Sequence, residues 1–342
     1  IEYKEELMKK ITLGGMQASD IVLGCMRISD MAVSRVQELL ETAVEEGINY
    51  FDHADLYGHG ASEELFAKAM GQKPSLRERI YLQSKCGIRD DGGLFRYDFS
   101  KSHILKSVDG ILKRLNTDYL DVYQLHWPER KANYFGKLGI SALPENDAFT
   151  PFEEILSALN ELVKQGKIRA YGLSNETPWG TMRFLNLHEN QPNLPRAASV
   201  QNPYNLLNRS YEVGMSELSL RENVPLLAYS PLAFGVLSGK YRHGAKPQGS
   251  RLALFERFQR YTKPQGFAAV ERYAHIAEQA GLSLTALSLA FVSKQKFVAA
   301  NIIGATTPEQ LAENIASADV VLSQDVLDAI DAVHAEISNP CP

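Results

Sequence analysis

Apolar residues along this chain fall into two alternating patterns. The first is short and continuous: DIVLGC, NYFDHA, IYLQSKC, LDVYQLH, IRAYGLS, AASVQNP, VPLLAYS and FVAANIIG. Runs of this length, rich in β-branched and aromatic residues, read as buried strands. The second pattern has a helical period. In SRVQELLETAVEEG, Val36, Leu39, Leu40, Ala43 and Val44 share one face, which predicts an amphipathic helix. Ser34 with Gln37 reads as a capping box, and Gly47 stands where a helix stop belongs. TPFEEILSALNELVKQGK repeats the arrangement, with Thr150 as N-cap, Pro151 in the first turn, Glu153 closing the box and Gly166 as stop. TPEQLAENIA does so again from Thr307.

Eight strands alternating with helices predict parallel βαβ units, and eight is the number that closes a (β/α)8 barrel. The competing class is an open doubly wound sheet. It would place a GxGxxG after the first strand, and the chain has none. The expected fold is α/β: a (β/α)8 TIM barrel, one domain over residues 1–342. KKITLGGMQASDIVL predicts an opening hairpin turned at Gly14-Gly15 and set across the barrel bottom. Residues 127–148 and 231–265 form long insertions after the fourth and seventh strands, and residues 323–336 a final helix. Both insertions follow strand C-termini, the face on which barrel active sites are built.

Composition excludes several partners. Thirty-six basic against 41 acidic residues leave a net charge of −5, unlike a general binder of nucleic acid or anionic membrane. Cys25, Cys86 and Cys341 form neither a disulfide framework nor a zinc site, which predicts a reducing, cytoplasmic location. No apolar run is long enough to span a bilayer, and the first ten residues lack the apolar core of a signal peptide.

Polar residues gather at predicted strand ends. Asp52 ends the second strand, with Tyr57 in the loop beyond; Lys85 ends the third and His126 the fourth. Each has a plain structural reading: a turn cap, a half-packed ring, a core histidine. A lysine in an apolar strand nevertheless needs a partner, because an unpaired buried charge costs several kcal/mol. Asp52 is the obvious one. Tyr57 beside that ammonium is expected to have a lowered phenol pKa and to move a proton near neutral pH. A metal at His53, Asp55 and His59 is not expected. Strand alternation turns His53 outward, and no HxH or HExxH occurs. A Schiff base on Lys85 would leave the tyrosine unexplained.

The segments GINYFDHADLYG, SKCG, DYLDVYQLHWP, GLSN, VQNPYN, AYSPLAFGVLSGKY and GATTPEQLAEN resemble the aldo-keto reductases, in order, over nearly the whole chain. From residue 127 onward the chain looks closest to the Tas-like bacterial branch. The part before it resembles another bacterial branch with DHADIYG and SKCGI, as a chimera or engineered sequence would. The resemblance implies that Tyr57 is the general acid, that Lys85 tunes it, that Asp52 pairs with Lys85, and that His126 orients a carbonyl. It implies NADPH as cofactor (NADH as the alternative) and no metal. Ser174, Asn175 and Gln201 would hold the carboxamide, and Tyr229 would stack on the nicotinamide. Ser230, Pro231, Leu232, Gly235, Leu237 and Lys240 would follow the pyrophosphate. Gly304, Thr306, Gln310, Glu313 and Asn314 would hold the adenosine end. Gln310 stands where an arginine often grips the 2′-phosphate; Arg242 or Arg251 would then supply that charge. Met26 and Trp127, with Tyr134, would ring an apolar substrate pocket. The partner implied is a small carbonyl substrate, met by a monomer. Two other readings stay open: a cofactor-binding partner protein like the potassium-channel β subunits, and an engineered barrel with an impaired site.

Overall fold

The computed structural model describes residues 8–71, 74–90, 95–133, 138–255 and 258–342. An antiparallel hairpin comes first, β1 (Lys10–Leu13) and β2 (Met16–Ser19). Then follow β3 (Ile21–Gly24), β4 (Tyr50–Asp52) and β5 (Tyr81–Cys86). A second hairpin, β6 (Ile88–Asp90) with β7 (Phe95–Tyr97), interrupts the series. The strands resume with β8 (Leu120–Leu125), β9 (Ile168–Ser174), β10 (Ala197–Pro203), β11 (Leu226–Tyr229) and β12 (Val298–Ile303). Eight of these, β3, β4, β5 and β8 to β12, close a parallel barrel in chain order, with β12 pairing back onto β3. They are the eight apolar runs of the sequence. The β6–β7 hairpin has no counterpart in the apolar pattern, because three-residue strands are too short to show a period.

Helices cover the outside. They are α1 (Val33–Glu45), α2 (Ala61–Met70), α3 (Lys101–Leu115), α4 (Phe152–Lys164), α5 (Pro178–Asn190) and α6 (Met215–Glu222). After a short α7 (Arg251–Leu254) come α8 (Pro264–Gln279), α9 (Leu284–Ser293), α10 (Pro308–Ala316) and α11 (Gln324–Glu336). The predicted face of α1 is the buried one: Val36, Leu39, Leu40 and Ala43. No single helix among the described residues is long and apolar enough to cross a membrane.

Helix caps are less faithful to the sequence. Of the box expected from Thr307 one half forms, Gln310 N–H donating to the Thr307 hydroxyl at 3.3 Å, while the Gln310 side chain accepts from Thr306 instead of Thr307. The Ser34–Gln37 box does not form: α1 starts two residues earlier, with Ala32 as its cap, and Gln37 donates to Glu41 instead. Thr150 does not cap α4 either. Its N–H and hydroxyl donate to the Glu129 carboxylate at 2.7 and 3.1 Å, and Pro151 takes the cap position. A charged acceptor from the preceding loop is the stronger partner.

The first hairpin closes the N-terminal end of the barrel, as expected. Leu13, Met16 and Ala18 join Val22, Tyr50, Val122, Leu227, Ala300 and Ile302 in one buried cluster inside the ring. Gly14 has φ 53°, and a Cβ there would lie 2.8 Å from that of Ala170. A glycine is therefore required where the hairpin meets the strands. Beside it Asp121, fully buried, accepts from Leu82 N–H at 2.9 Å, Arg77 at 3.2 Å and Arg169 at 2.6 Å.

Candidate active site

At the opposite end the strand termini are polar. Lys85 is 1% exposed at the end of β5. Its ammonium donates to Asp52 Oδ1 at 2.6 Å, to the His53 carbonyl at 2.6 Å and to the Tyr57 hydroxyl at 3.2 Å. All three ammonium protons are thus placed. Burial pulls the Lys85 pKa down, while Asp52 opposes the shift. Tyr57 sits in a turn where Gly58, His59 and Gly60 all have left-handed φ. A Cβ on Gly58 would lie 2.7 Å from Ser29 Cβ, so the turn needs glycine there.

The expectation of a lowered Tyr57 pKa is corrected. Burial first, and the Asp52 carboxylate second, push the phenol well above its ordinary value. Charges along the sequence point to Lys85 and carry no sign of the desolvation that closing the barrel imposes. Tyr57 is therefore a neutral phenol, with a proton to give and an ammonium beside the oxygen that would lose it. His126 stands edge-on to it, ring centroids 6.1 Å apart. Burial, then Lys85, hold the imidazole well below its usual pKa, so it is neutral at pH 7. Its Nδ1 is buried and has no hydrogen-bond partner among the described residues.

His53, adjacent in sequence to Asp52, turns outward as alternation predicts and packs edge-on against Phe66 at 4.5 Å. Burial drops its pKa to about 3. Asp55 accepts from Ser107 at 2.8 Å, and burial raises its carboxyl to about 7. Among the described residues no group of three or more His, Cys, Asp or Glu is placed to hold a metal.

Beneath the four residues lies a buried amide ladder. Gln201, 2% exposed, faces Gln83 at 3.4 Å; Gln83 also donates to Asp52 and accepts from Tyr50 and from Gln124 at 2.9 Å. The partner that the buried Gln201 amide needs is thus Gln83. Ser174 donates to the Gln201 carbonyl at 2.9 Å. Asn175, at φ 55°, donates to the His126 carbonyl at 3.0 Å and to Ser174 Oγ at 3.1 Å, and accepts from the Tyr229 hydroxyl at 2.6 Å. Ser174, Asn175, Gln201 and Tyr229 are therefore gathered around the end of β9.

The loop after β11 is strained. Ser230, Ala233, Phe234 and Gly235 all have φ between 48° and 92°. For non-glycine residues this costs ~1–3 kcal/mol each and marks functional segments. Pro231 and Leu237 are buried, Leu232 is half-buried, and Lys240 is exposed over the Tyr241 ring. At α10, Gly304 is exposed and Gln310 accepts from Thr306 N–H and hydroxyl at 3.0 and 3.1 Å. Glu313 accepts from Ser283, and Asn314 is buried.

Of the two arginines considered for the phosphate, Arg242 is committed elsewhere, to Glu271 at 2.8 Å and Glu278 at 3.4 Å. Arg251 lies 5.1 Å from the Phe234 and Phe258 ring centroids. Burial, then Arg27, lowers its pKa to about 10. Arg27 is a residue that sequence reasoning misses. It follows Met26 in the turn after β3 and lies 5.6 Å from the Phe255 centroid. Neither Arg27 nor Arg251 forms a salt bridge among the described residues, although the Asp30 carboxylate is near enough to favour the Arg27 charge. Only the fold brings them together, so no local signal marks the pair. Trp127 stacks on Tyr97, centroids 6.4 Å apart, and Met26 is half-buried. Tyr134 lies outside the described residues.

Comparison with known proteins identifies the family. The model of the Aldo/keto reductase family matches residues 12–335. The chain is 42% identical to Protein tas of Escherichia coli K12, over 97% of this chain and 99% of that one. The similarity to Tas therefore runs through the N-terminal part as well as the part from residue 127. The chain is 30% identical to a probable voltage-gated potassium channel subunit beta of Oryza sativa, over 95% of each. Among solved structures, the glycerol dehydrogenase of Gluconobacter oxydans superposes with a TM-score of 0.76 at 26% identity, covering 98% of this chain and 97% of that one.

Proposed function

This chain belongs to the aldo/keto reductase family and is an oxidoreductase using a nicotinamide cofactor; on that premise we propose that it reduces an aldehyde or ketone with Tyr57 as general acid. The observation that carries the reading is the Tyr57 hydroxyl 3.2 Å from a fully buried ammonium that Asp52 holds in place. When bound, the cofactor supplies the hydride that the carbonyl carbon accepts. Tyr57 gives its proton to the carbonyl oxygen as the C=O π pair moves onto it. Lys85 stabilises the phenolate left behind, lowering the cost of a proton transfer that burial alone makes expensive. His126, neutral and with an unpartnered ring nitrogen, orients the oxygen. Ser174, Asn175 and Gln201 would hold the carboxamide of the cofactor, and Tyr229 would meet its ring.

NADPH is the favoured donor, with NADH accepted less well. Ser230, Pro231, Leu232, Gly235, Leu237 and Lys240 would line the pyrophosphate, and Gly304, Thr306, Gln310, Glu313 and Asn314 the adenosine end. Gln310 is occupied in its cap and brings no charge. Arg27 and Arg251, half-buried cations that form no salt bridge among the described residues, would supply positive charge to a phosphate. Met26 and Trp127 border an apolar pocket for a small carbonyl. The whole chain acts as one barrel domain and a monomer, with no nucleic acid or membrane in the reaction. Its three free cysteines suit the cytoplasm.

The test is cofactor oxidation, followed in the ordinary dihydronicotinamide absorption band, with aromatic and short aliphatic aldehydes, NADPH and NADH in parallel. Turnover faster with NADPH supports the reading; faster turnover with NADH overturns the cofactor preference. A second reading, a cofactor-binding partner protein, draws on the similarity to the rice channel subunit. Tight NADPH binding with no turnover on any aldehyde would favour it.

A further inference from the structure

One buried ion pair on the catalytic rim has no part in the chemistry just described. Arg130 lies four residues beyond His126 in the loop after β8. Its guanidinium packs against the rings of Trp179 and Phe152, at 4.8 and 5.7 Å from their centroids, and those two rings also meet edge to face. Nη1 donates to Glu176 Oε2 at 3.0 Å; Nη2 donates to Glu176 Oε1 and, at 3.1 Å, to Thr177 Oγ1. Both charged side chains are less than a tenth exposed, 8% and 5%. The backbone of Glu176 is held in turn by Asn202, whose Oδ1 accepts from its N–H at 3.1 Å and whose Nδ2 donates to its carbonyl at 2.8 Å. Gly180, in the first turn of α5, makes room for the fork: a Cβ there would collide with Arg130 Nη2 and Glu176 Oε1 together.

Such a pair is poor evidence for stability, since well-packed apolar residues often replace a buried ion pair without loss. Its geometry says more. His126 leads into the loop that carries Arg130, and Asn175 directly precedes Glu176. The Asn175 amide closes the same loop from the other side, on the His126 carbonyl. The fork and the amide therefore bind two strand ends at two points, which fixes their relative position rather than a single distance. We propose that Arg130 and Glu176 are positioning residues that set His126 relative to Ser174 and Asn175, and so set the carbonyl oxygen relative to the nicotinamide ring. This rests on the reductase reading given above. The planar fork matters: a lysine would keep the charge but could not satisfy both carboxylate oxygens and Thr177 in one plane.

The experiment uses two variants of the full chain. Arg130→Met with Glu176→Gln removes both charges, so neither ion is left buried alone. Gly180→Ala keeps both charges and displaces the fork, at a helical position that alanine otherwise favours. Each is compared with the wild type for melting temperature, for kcat and KM on an aldehyde the wild type reduces, and for the isotope effect with 4-deuterated NADPH. Misplacement of ~1 Å costs ~100-fold in rate. The expected result is a kcat ~10–100-fold lower in both variants. The isotope effect should rise as hydride transfer becomes limiting, while melting stays within about 5 °C of the wild type. Wild-type kcat per folded molecule in either variant overturns the proposal. If the double variant does not fold, Gly180→Ala decides alone. A wild-type protein inactive on every carbonyl defeats the reductase reading itself, which separates the two failures.

Discussion

The two ends of the barrel are built from the same eight strands and solve opposite problems. At the N-terminal end the first hairpin plugs the ring with apolar side chains, and the fully buried carboxylate there, Asp121, has three donors. At the C-terminal end a neutral imidazole keeps an unpartnered nitrogen, two arginines form no salt bridge among the described residues, and the loop after β11 holds several residues at positive φ. Both ends satisfy their most deeply buried charge internally, Asp121 at one and Lys85 at the other. The C-terminal end also leaves polar groups for a ligand, and leans on the buried ladder of Gln83, Gln124 and Gln201 for rigidity. Polar groups are therefore informative by whether they are satisfied, not by how many there are.

Substitutions at the two ends sharpen this contrast. The largest effect is expected from Tyr57→Phe, which keeps the ring and removes the proton. Turnover should fall by ~100-fold or more with melting unchanged; wild-type turnover would remove Tyr57 from the role of acid. Lys85→Met should lose turnover similarly. It should also lose ~3–5 kcal/mol of stability, because Asp52 would be left charged and buried; urea unfolding distinguishes the two variants. At the other end Asp121→Asn should cost about 3 kcal/mol in the same assay and leave kcat per folded molecule intact. A drop in kcat comparable to that of Tyr57→Phe would mean the ends are not separable. Gly14→Ala should be milder, ~1–2 kcal/mol, from a left-handed alanine crowding Ala170.

The smallest effect at neutral pH is expected from His53→Leu, but its pH dependence is diagnostic. The folded-state pKa of His53, about 3, lies below the ordinary 6.5. The unfolded chain therefore binds more protons between those values, and stability is lost as pH falls from 6.5 toward 3. Asp20 and Asp55, raised to about 6 and about 7, act with the opposite slope. Their contribution is full below pH ~4 and is lost as pH rises through ~6–7. Stability measured against pH should lose its His53 share of the acid limb in the variant and keep the descent above pH ~4. An unchanged acid limb would show that His53 is not held neutral in the fold.

Much of this is legible in the chain. Parallel strands covered on both faces read as continuous apolar runs, and polar residues in them stand out. That is why Asp52, Lys85 and His126 emerge as candidates from the residue pattern alone, whereas Gln201 enters through the family resemblance. Caps are less legible. Thr150 looks like a cap locally, but Glu129 lies 21 residues away and wins by charge. The direction of the Tyr57 shift is hidden for a related reason: its neighbours follow from the order of the strands, its desolvation does not.

The amino-acid sequence by itself determined the alternation of strands and helices, the closure number of the barrel, the plug at its bottom and the strand ends that carry the chemistry. Each of these follows from local period and from the cost of burying an unpaired polar group, which the chain shows residue by residue. The tertiary structure alone decided which partners those groups meet: Glu176 for Arg130 across 46 residues, Gln83 for Gln201 across 118, and, as a like-charge neighbour, Arg27 for Arg251. Electrostatics and desolvation depend on distance and burial in space, and neither is a function of separation along the chain.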